Sequence, residues 1–455
     1  MSQPDGPTVV LFNRDLRVHD HPALAAATER SELVVPLFVI DDTIMGSDFA
    51  SPNRVGFLVE CLRDLRRALQ DRGASLVVRT GDPVTEAMRI VDAVGASAVF
   101  VTADVGRFAQ DRERRLAAAC DGARIELQRF PGVTVVPPGE LCATGGGHYR
   151  VFTPYWRVWQ GHRWRPLAPT RRKIRMPRDL DEGPIPNWDR LVSGDRSPGV
   201  MRGGETEGRD RLHRWLRSSL EGYGDGHDAL AADETSRLSP YLHFGCLSSL
   251  EVAIKALDRE GAEPFVRQVC WRDFHHQVTA EHPRIATVEY RSRNDRWRDD
   301  AQELAAWQEG RTGYPIVDAG MRQLAAEGWM HNRARLITAS FLTKDLYLDW
   351  RVGARWFLGR LIDGDIANNS ANWQWVAGTG NDTRPNRVLN PLLQADRYDP
   401  DGDYVRRWVP ELAHIGGNAI HRPWELRGSL FGEVDYPERL VDHQEAVAAF
   451  REHRR

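Results

Sequence analysis

At 455 residues, with 41% hydrophobic and 27% charged residues, the chain is too long for one ordinary core, which predicts a globular protein of two or three domains. A formal net charge of -3 excludes a whole-chain attraction to nucleic acid or anionic membrane, so any basic surface has to be local. Five scattered cysteines without a CxxC pair exclude a disulfide framework, and no apolar run approaches the roughly 18 residues of a membrane span.

Reduced thiols and a short polar stretch at residues 1–7, with no secretory signal after it, predict a cytosolic protein. Residues 8–12, 33–40, 75–78 and 98–101 read as buried strands, and 124–127 as an edge strand. Residues 54–72, 83–94 and 110–120 between them carry the i, i+3, i+4 apolar spacing of helices. That alternation predicts a doubly wound parallel sheet, an α/β domain over residues 1–130. No GxGxxG follows the first strand, which leads into Asn13-Arg-Asp-Leu-Arg17 instead, so a nicotinamide-dependent dehydrogenase is disfavoured.

Residues 131–205 are rich in Pro and Gly and predict a long irregular connector. Residues 150–178 hold nine Lys/Arg and no Asp or Glu, with Tyr155, Trp156, Trp159 and Trp164 interleaved. One-signed charge of this length is an electrostatic footprint for phosphate, or else a solvated linker that avoids acids. From residue 206 the pattern is helical: 209–223, 249–259, 263–276, 301–308, 314–327, 332–346, 350–362 and 437–451. Residues 206–455 are therefore expected to form a larger all-α domain.

The stretch Asp363-Gly-Asp-Ile-Ala-Asn-Asn-Ser-Ala-Asn-Trp-Gln-Trp375 stands out. Carboxylates and amides beside an apolar helix are costly unless each finds a partner. Two large indoles in the same place suit a flat, polar-edged ligand; a polar turn between helices with two core Trp would look the same. Thr235-Ser-Arg-Leu-Ser239 offers hydroxyls and an Arg for a phosphate, or a helix cap and a turn. In Trp271-Arg-Asp-Phe-His-His276 the two His invite a metal reading, but no HExxH or Cys/His set accompanies them. Arg335 needs a counter-charge, with Asp363 and Asp365 the candidates. No Gly-x-Ser-x-Gly, P-loop or close Glu pair supports a hydrolase or a phosphoryl-transfer enzyme.

Taken in order, Asn13-Arg-Asp-Leu-Arg17, Thr235-Ser-Arg-Leu-Ser-Pro240, Trp271-Arg-Asp-Phe274, Thr312-Gly-Tyr-Pro-Ile-Val-Asp318, Trp329-Met-His-Asn-Arg333, Asp363-Gly-Asp365, Trp373-Gln-Trp375 and Arg406-Arg-Trp-Val-Pro410 closely resemble the photolyase and cryptochrome flavoproteins over essentially the whole chain. The resemblance implies a folded-over FAD within the helical domain. Tyr223, Thr235, Ser236, Arg237, Leu238, Ser239 and Arg272 match positions around its phosphates. Arg335, Asp363 and Asp365 match groups at its ring and ribose, and Asn369 the residue facing the flavin N5. The implied activity is light-driven repair of cyclobutane pyrimidine dimers in ultraviolet-damaged DNA, by electron transfer from reduced FAD to a flipped-out dimer. Trp271 and Trp375 match the walls of the lesion pocket, and Asn332, Arg333, Arg387 and Gln394 match DNA contacts. Trp373, Trp350 and Trp297 match a relay that re-reduces the flavin.

Two residues depart from the dimer-repair pattern. Gln268 stands where an acidic residue is usual, and Leu336 where Met is usual. Gln at the former position also occurs in relatives that repair the (6-4) photoproduct, whereas Asn332 is the dimer-type residue. A (6-4) enzyme and a blue-light photoreceptor are the alternatives. The Asp104-Val-Gly-Arg-Phe108 loop and Arg54 resemble relatives that bind an 8-hydroxy-5-deazaflavin antenna more than those that bind methenyltetrahydrofolate. A monomer, associated with the bacterial nucleoid through DNA and with no membrane partner, is expected.

Overall fold

A computed structural model describes residues 6–232, 234–426 and 435–454. They pack as two compact units: Met1–Arg196, Met201–Glu221 and Ser236–Arg284 form the first, and Ser197–Val200, Gly222–Thr235 and Ile285–Arg455 the second.

The first unit contains a five-stranded sheet of β1 (Thr8–Phe12), β2 (Val34–Asp41), β3 (Val77–Gly81), β4 (Ala98–Thr102) and β5 (Glu126–Phe130). All neighbours are parallel, in the order β3-β2-β1-β4-β5. The chain starts at the centre, winds out to one edge, then crosses to the other, as the alternation predicts. Thr8 pairs with Val34 on one side and Ala98 on the other. β1, β2 and β4 are buried along their whole length, the mark of a parallel sheet covered on both faces. β3 and β5 are the edges, β5 the more exposed, with Glu126, Gln128 and Arg129 at the surface. Asp82 caps the Pro83–Val94 helix by accepting from Thr85 N–H at 2.9 Å, worth about 1 kcal/mol.

Three sequence expectations change. The Pro22–Arg30 helix has no large apolar periodicity, because its buried face is Ala23, Leu24, Ala25 and Ala27, so spacing did not reveal it. The connector is not irregular throughout: Phe152–Gly161 is a helix burying Phe152, Tyr155, Trp156 and Trp159, at i, i+3, i+4 and i+7. Its interleaved aromatics are mainly core, and part of its charge is spent internally. Arg165 pairs with Asp20 (2.6 Å), Arg171 with Glu29 and Arg175 with Glu32. The stretch is therefore in part a brace on the sheet unit, with Arg165–Asp20 its buried tie. Finally, residues 366–377 are a helix and not a turn.

The Asn13–Arg17 motif is also a brace. Buried Arg17 donates to Gly245 O (3.0 Å) and Gly132 O (3.1 Å), and Arg14 to His243 O (3.0 Å). Burial by itself would raise the Asp15 carboxyl, but His21 at 3.0 Å and Thr102 at 2.6 Å hold it below the ordinary value.

The second unit is helical, built on Ala301–Glu309, Pro315–Glu327, Asn332–Ser340, Trp350–Arg360, Ile366–Ala377, Pro391–Tyr398 and His443–His453. Trp307, Tyr314, Phe341, Trp350, Phe357 and Trp373 form the bulk of its core. The expected helix over 332–346 ends at Ser340 and continues as one π-turn, Phe341–Asp345. No described helix is long and apolar enough to cross a membrane.

Candidate functional site

The polar stretch 363–375 begins with a helix cap. Asp365 Oδ1 accepts from Asn368 N–H (2.8 Å) and Asn368 Nδ2 (2.7 Å), opening the Ile366–Ala377 helix. Helical spacing then puts Asn369 and Trp373 on one face. Asn369 Nδ2 donates to Ala354 O at 3.1 Å. Trp373 fills the space over Gly353, where an added Cβ would lie 2.3 Å from Cη2 of the indole. Glycine is what lets the Trp350–Arg360 helix approach that ring.

Of the two candidate counter-charges, Asp363 takes Arg335: Nη2 donates to Asp363 Oδ2 at 2.8 Å, while Nε donates to Met330 O at 2.9 Å. Among the described residues, Asp363 Oδ1 is left buried with no hydrogen-bond partner, and so is Thr235 Oγ1. Such atoms cost about 1–3 kcal/mol each unless a ligand supplies the missing hydrogen bond. FAD carries N–H and O–H donors on its ring and ribitol and acceptors on its phosphates, so these two atoms fit a group of that chemistry. Tyr223 is buried beside His227, with ring centroids 5.1 Å apart, and burial raises its phenol above the ordinary value.

The other predicted phosphate-site residues lie in the first unit. Arg237 adopts φ +50°, Ser236 Oγ accepts from Leu238 N–H at 3.4 Å, and Ser239 opens the short Ser239–His243 helix over buried Leu238. Arg272 donates to Val133 O (2.6 Å) and Leu242 O (3.3 Å). Next to it, Asp273 accepts from Val135 N–H, Val136 N–H and Trp159 Nε1 at 2.9–3.0 Å. Burial pushes this carboxyl up to about 6, against the pull of Arg272.

Trp271 stacks on Phe152 at 3.7 Å and 5° between planes, so its orientation is locked by a residue of the former connector. Gln268, on the same helix, is exposed. In the second unit Trp375 is half-buried, with the Arg387 guanidinium 5.4 Å from its ring centre. Gln394 is half-buried, and its Oε1 has no hydrogen-bond partner among the described residues. Asn332 is exposed at a helix start. Arg333 makes two hydrogen bonds to Asp228 (3.1 and 2.5 Å) and lies 4.3 Å over the Tyr398 ring. Leu336 packs half-buried against the helical core.

Trp373 and Trp350 are buried in that core, and Trp297 is half-buried against it. Trp307 and Phe357 meet Trp373 at centroid distances of 6.1 and 4.9 Å. Sequence reasoning missed Phe152, Asp273, Trp307, Phe357 and Asp228 as supports. Only Phe152 left a signal, in the i, i+3, i+4, i+7 aromatic spacing of its helix. Arg54 is buried with its guanidinium 4.4 Å from the Phe49 ring centre; Asp104 pairs with Arg14 at 3.2 Å, and Phe108 is exposed.

Comparison with known proteins matches residues 8–172 to the DNA photolyase family and 265–455 to the FAD binding domain of DNA photolyase. The chain is 52% identical to a deoxyribodipyrimidine photo-lyase of Streptomyces griseus over 97% of its own length and 98% of that protein. Its fold superposes on a class III photolyase of Agrobacterium tumefaciens with TM-score 0.93, at 33% identity, covering 100% of this chain and 98% of that one. A cryptochrome of Synechocystis aligns at TM-score 0.90 and 30% identity, covering 99% of each chain. The helical half thus carries the flavin-binding domain of this group, and the whole chain belongs to the photolyase and cryptochrome family.

Proposed function

We propose that this protein is a deoxyribodipyrimidine photo-lyase, repairing cyclobutane pyrimidine dimers in ultraviolet-damaged DNA under blue light. The observation that carries the reading is the Arg335–Asp363 pair with its unpartnered Oδ1, in a segment matched to a FAD binding domain. FAD, when bound and reduced, supplies the photoexcited electron that splits the dimer. Everything else falls to the chain. Asp363, Asp365 and Arg335 hold the ring and ribose; Tyr223, Thr235, the 236–239 segment and Arg272 serve the phosphates. Asn369 presents one amide to the ring edge. No general acid or base is needed, which agrees with a site built of amides, indoles and one ion pair.

Trp271 and Trp375 offer aromatic faces to a flipped-out pyrimidine dimer, whose stacking and pairing in the duplex damage has already weakened. Stacking on Phe152 fixes Trp271 before the lesion arrives, so little ordering entropy is lost on binding. Asn332 and Arg333 contact the lesion and its phosphates, with Gln268 and Leu336 tuning its choice; Arg387 and Gln394 make further DNA contacts, and the protein acts as a monomer on nucleoid DNA in the cytoplasm. Trp373, Trp350 and Trp297 pass electrons inward to restore the reduced cofactor. An 8-hydroxy-5-deazaflavin antenna sits near Arg54 and the 104–108 loop, a reading tested by its blue absorption band.

The test is direct. The purified protein should be yellow with FAD, bind irradiated DNA more tightly than intact DNA, and restore it under blue light. A coloured protein that ignores damaged DNA would favour the photoreceptor reading, which the Synechocystis cryptochrome fold keeps in view. A protein that restores (6-4) lesions alone would reassign the substrate.

A further inference from the structure

The fold brings two of the scattered cysteines into contact. Cys61 lies on the Pro52–Gln70 helix and Cys246 just after the Ser239–His243 helix, 185 residues further along the chain. The Cys246 thiol donates to Cys61 Sγ at a sulfur–sulfur distance of 3.3 Å. Both residues belong to the first unit, and both are 0% exposed. They continue an aromatic seam between the same two segments. One helical turn before Cys61, Phe57 packs on Tyr241 and Phe244, with ring centroids at 5.4 and 5.1 Å. Buried cysteine commonly serves as a small apolar side chain, which accounts for one such residue but not for two with their sulfurs in contact.

The surrounding backbone gives the pair little room to part. Gly245 sits at φ +67°, and a Cβ there would lie 2.0 Å from Arg14 O. Its carbonyl accepts from Arg17 Nη1 at 3.0 Å, and Leu247 N–H donates to Tyr241 O at 3.1 Å, so Cys246 is pinned through both neighbours. A Cβ on Gly203 would lie 2.9 Å from Cys61 Sγ, so that glycine closes in on the helix side. Burial, and then the adjoining Cys246 thiol, pushes the Cys61 thiol above its ordinary range, and the resting pair is protonated.

We propose that Cys61 and Cys246 are a reversible oxidative-modification site, converted by a peroxide to a disulfide that fastens the Pro52–Gln70 helix to the 239–247 segment. In the first step one sulfur takes an oxygen from the peroxide: the O–O bond breaks, an S–O bond forms, and the thiol proton leaves in a water molecule. The second sulfur then attacks this sulfenic acid. An S–S bond forms, the S–O bond breaks, and the second thiol proton leaves in a second water. Together the two thiols lose two electrons, which the peroxide takes. Two molecules of a thiol in solution reopen the bond and leave as their own disulfide. The first step is slow, because the thiols are covered and protonated; the second is fast, because the partner sulfur is already in contact. Once closed, the bond spans 185 residues and removes chain entropy from the unfolded state accordingly.

The experiment treats full-length Cys142→Ser protein, which lacks the exposed thiol, with hydrogen peroxide. Peptide mapping without reductant should find Cys61 joined to Cys246, and thiol titration of the denatured protein should fall by two. Dithiothreitol should restore both thiols. The apparent Tm should rise by several degrees on oxidation and return on reduction. Dimedone, which traps sulfenic acid, should label this protein little. It should label several-fold more strongly whichever single variant, Cys61→Ala or Cys246→Ala, keeps the sulfur that the peroxide attacks. Thiols that survive peroxide intact, sulfinic acid at either position without a cross-link, a cross-link that leaves the Tm unchanged, or equal trapping in all three proteins overturns the proposal. If the alanine variants fail to fold, mapping and Tm of the Cys142→Ser protein decide it. None of these readouts needs flavin or DNA, so they stand apart from the repair reading.

Discussion

Arg335 and Asp363 meet at 2.8 Å, and the pair uses only one of the two carboxylate oxygens, the other being buried without a partner among the described residues. A structural ion pair alone would be better served by a carboxylate with both oxygens satisfied. Asp363→Asn should therefore hurt cofactor retention more than folding. Arg335 is part-exposed, so the stability loss should stay near 1–2 kcal/mol. The ratio of flavin to protein absorbance after gel filtration should fall sharply, and full flavin content would remove Asp363 from the site.

Gly353 and Trp373 give a packing test with two directions. Gly353→Ala places a Cβ 2.3 Å from the Trp373 ring and 2.5 Å from Leu342 Cδ2, overpacking that should cost about 1–3 kcal/mol and lower the Tm. Trp373→Phe relieves crowding but removes an indole. It should leave binding of irradiated DNA intact and cripple photoreduction of bound flavin. Normal photoreduction in Trp373→Phe would exclude it as a conduit.

Lys344 carries a pH dependence. It is fully buried and donates to Ala377 O and Pro385 O at 3.0 Å each, and burial, with Arg454 adding to the effect, pulls its pKa down from 10.5 to about 6. Between those two values the unfolded chain binds a proton that the native chain does not. Stability from this group therefore rises with pH across the window and is lost as pH falls toward 6, by at most about 1.4 kcal/mol per pH unit. Urea unfolding of the helical unit should show that slope, and Lys344→Met should flatten it. An unchanged slope in the variant would assign the dependence to other groups.

The DNA contacts separate by salt. Arg387 is exposed, and its removal should weaken binding to every sequence alike and reduce the slope of log affinity against log salt by roughly 0.9. Asn332→Ala should leave that slope alone and erase the preference for damaged over intact DNA. Titrations at several salt concentrations with both probes distinguish the two, and a common effect would show that neither residue is correctly placed.

Much of the architecture was legible because continuous apolar runs mark strands buried on both faces and period-3.6 spacing records which face a helix buries. β1 and β4 and the Pro83–Val94 helix fall where spacing put them, to within a residue. The Pro22–Arg30 helix did not, since alanines leave no amphipathic signature. The Ile366–Ala377 helix was hidden by three asparagines, residues that ordinarily compete with the helical backbone. The connector differs for another reason: nine like charges spread over residues 150–178 say nothing about acids elsewhere in the chain, and Asp20, Glu29 and Glu32 take three of them.

The sequence by itself determined the fold class and the family and nominated the chemistry-bearing residues, because periodicity and long ordered motifs are local properties of a chain. Which carboxylate takes Arg335, which ring orients Trp271, which glycine makes room for Trp373 and which thiol meets Cys61 were decided only in the folded molecule. Each is a contact between residues distant along the chain. Sequence records what a side chain can do, and packing alone selects the partner with which it does so.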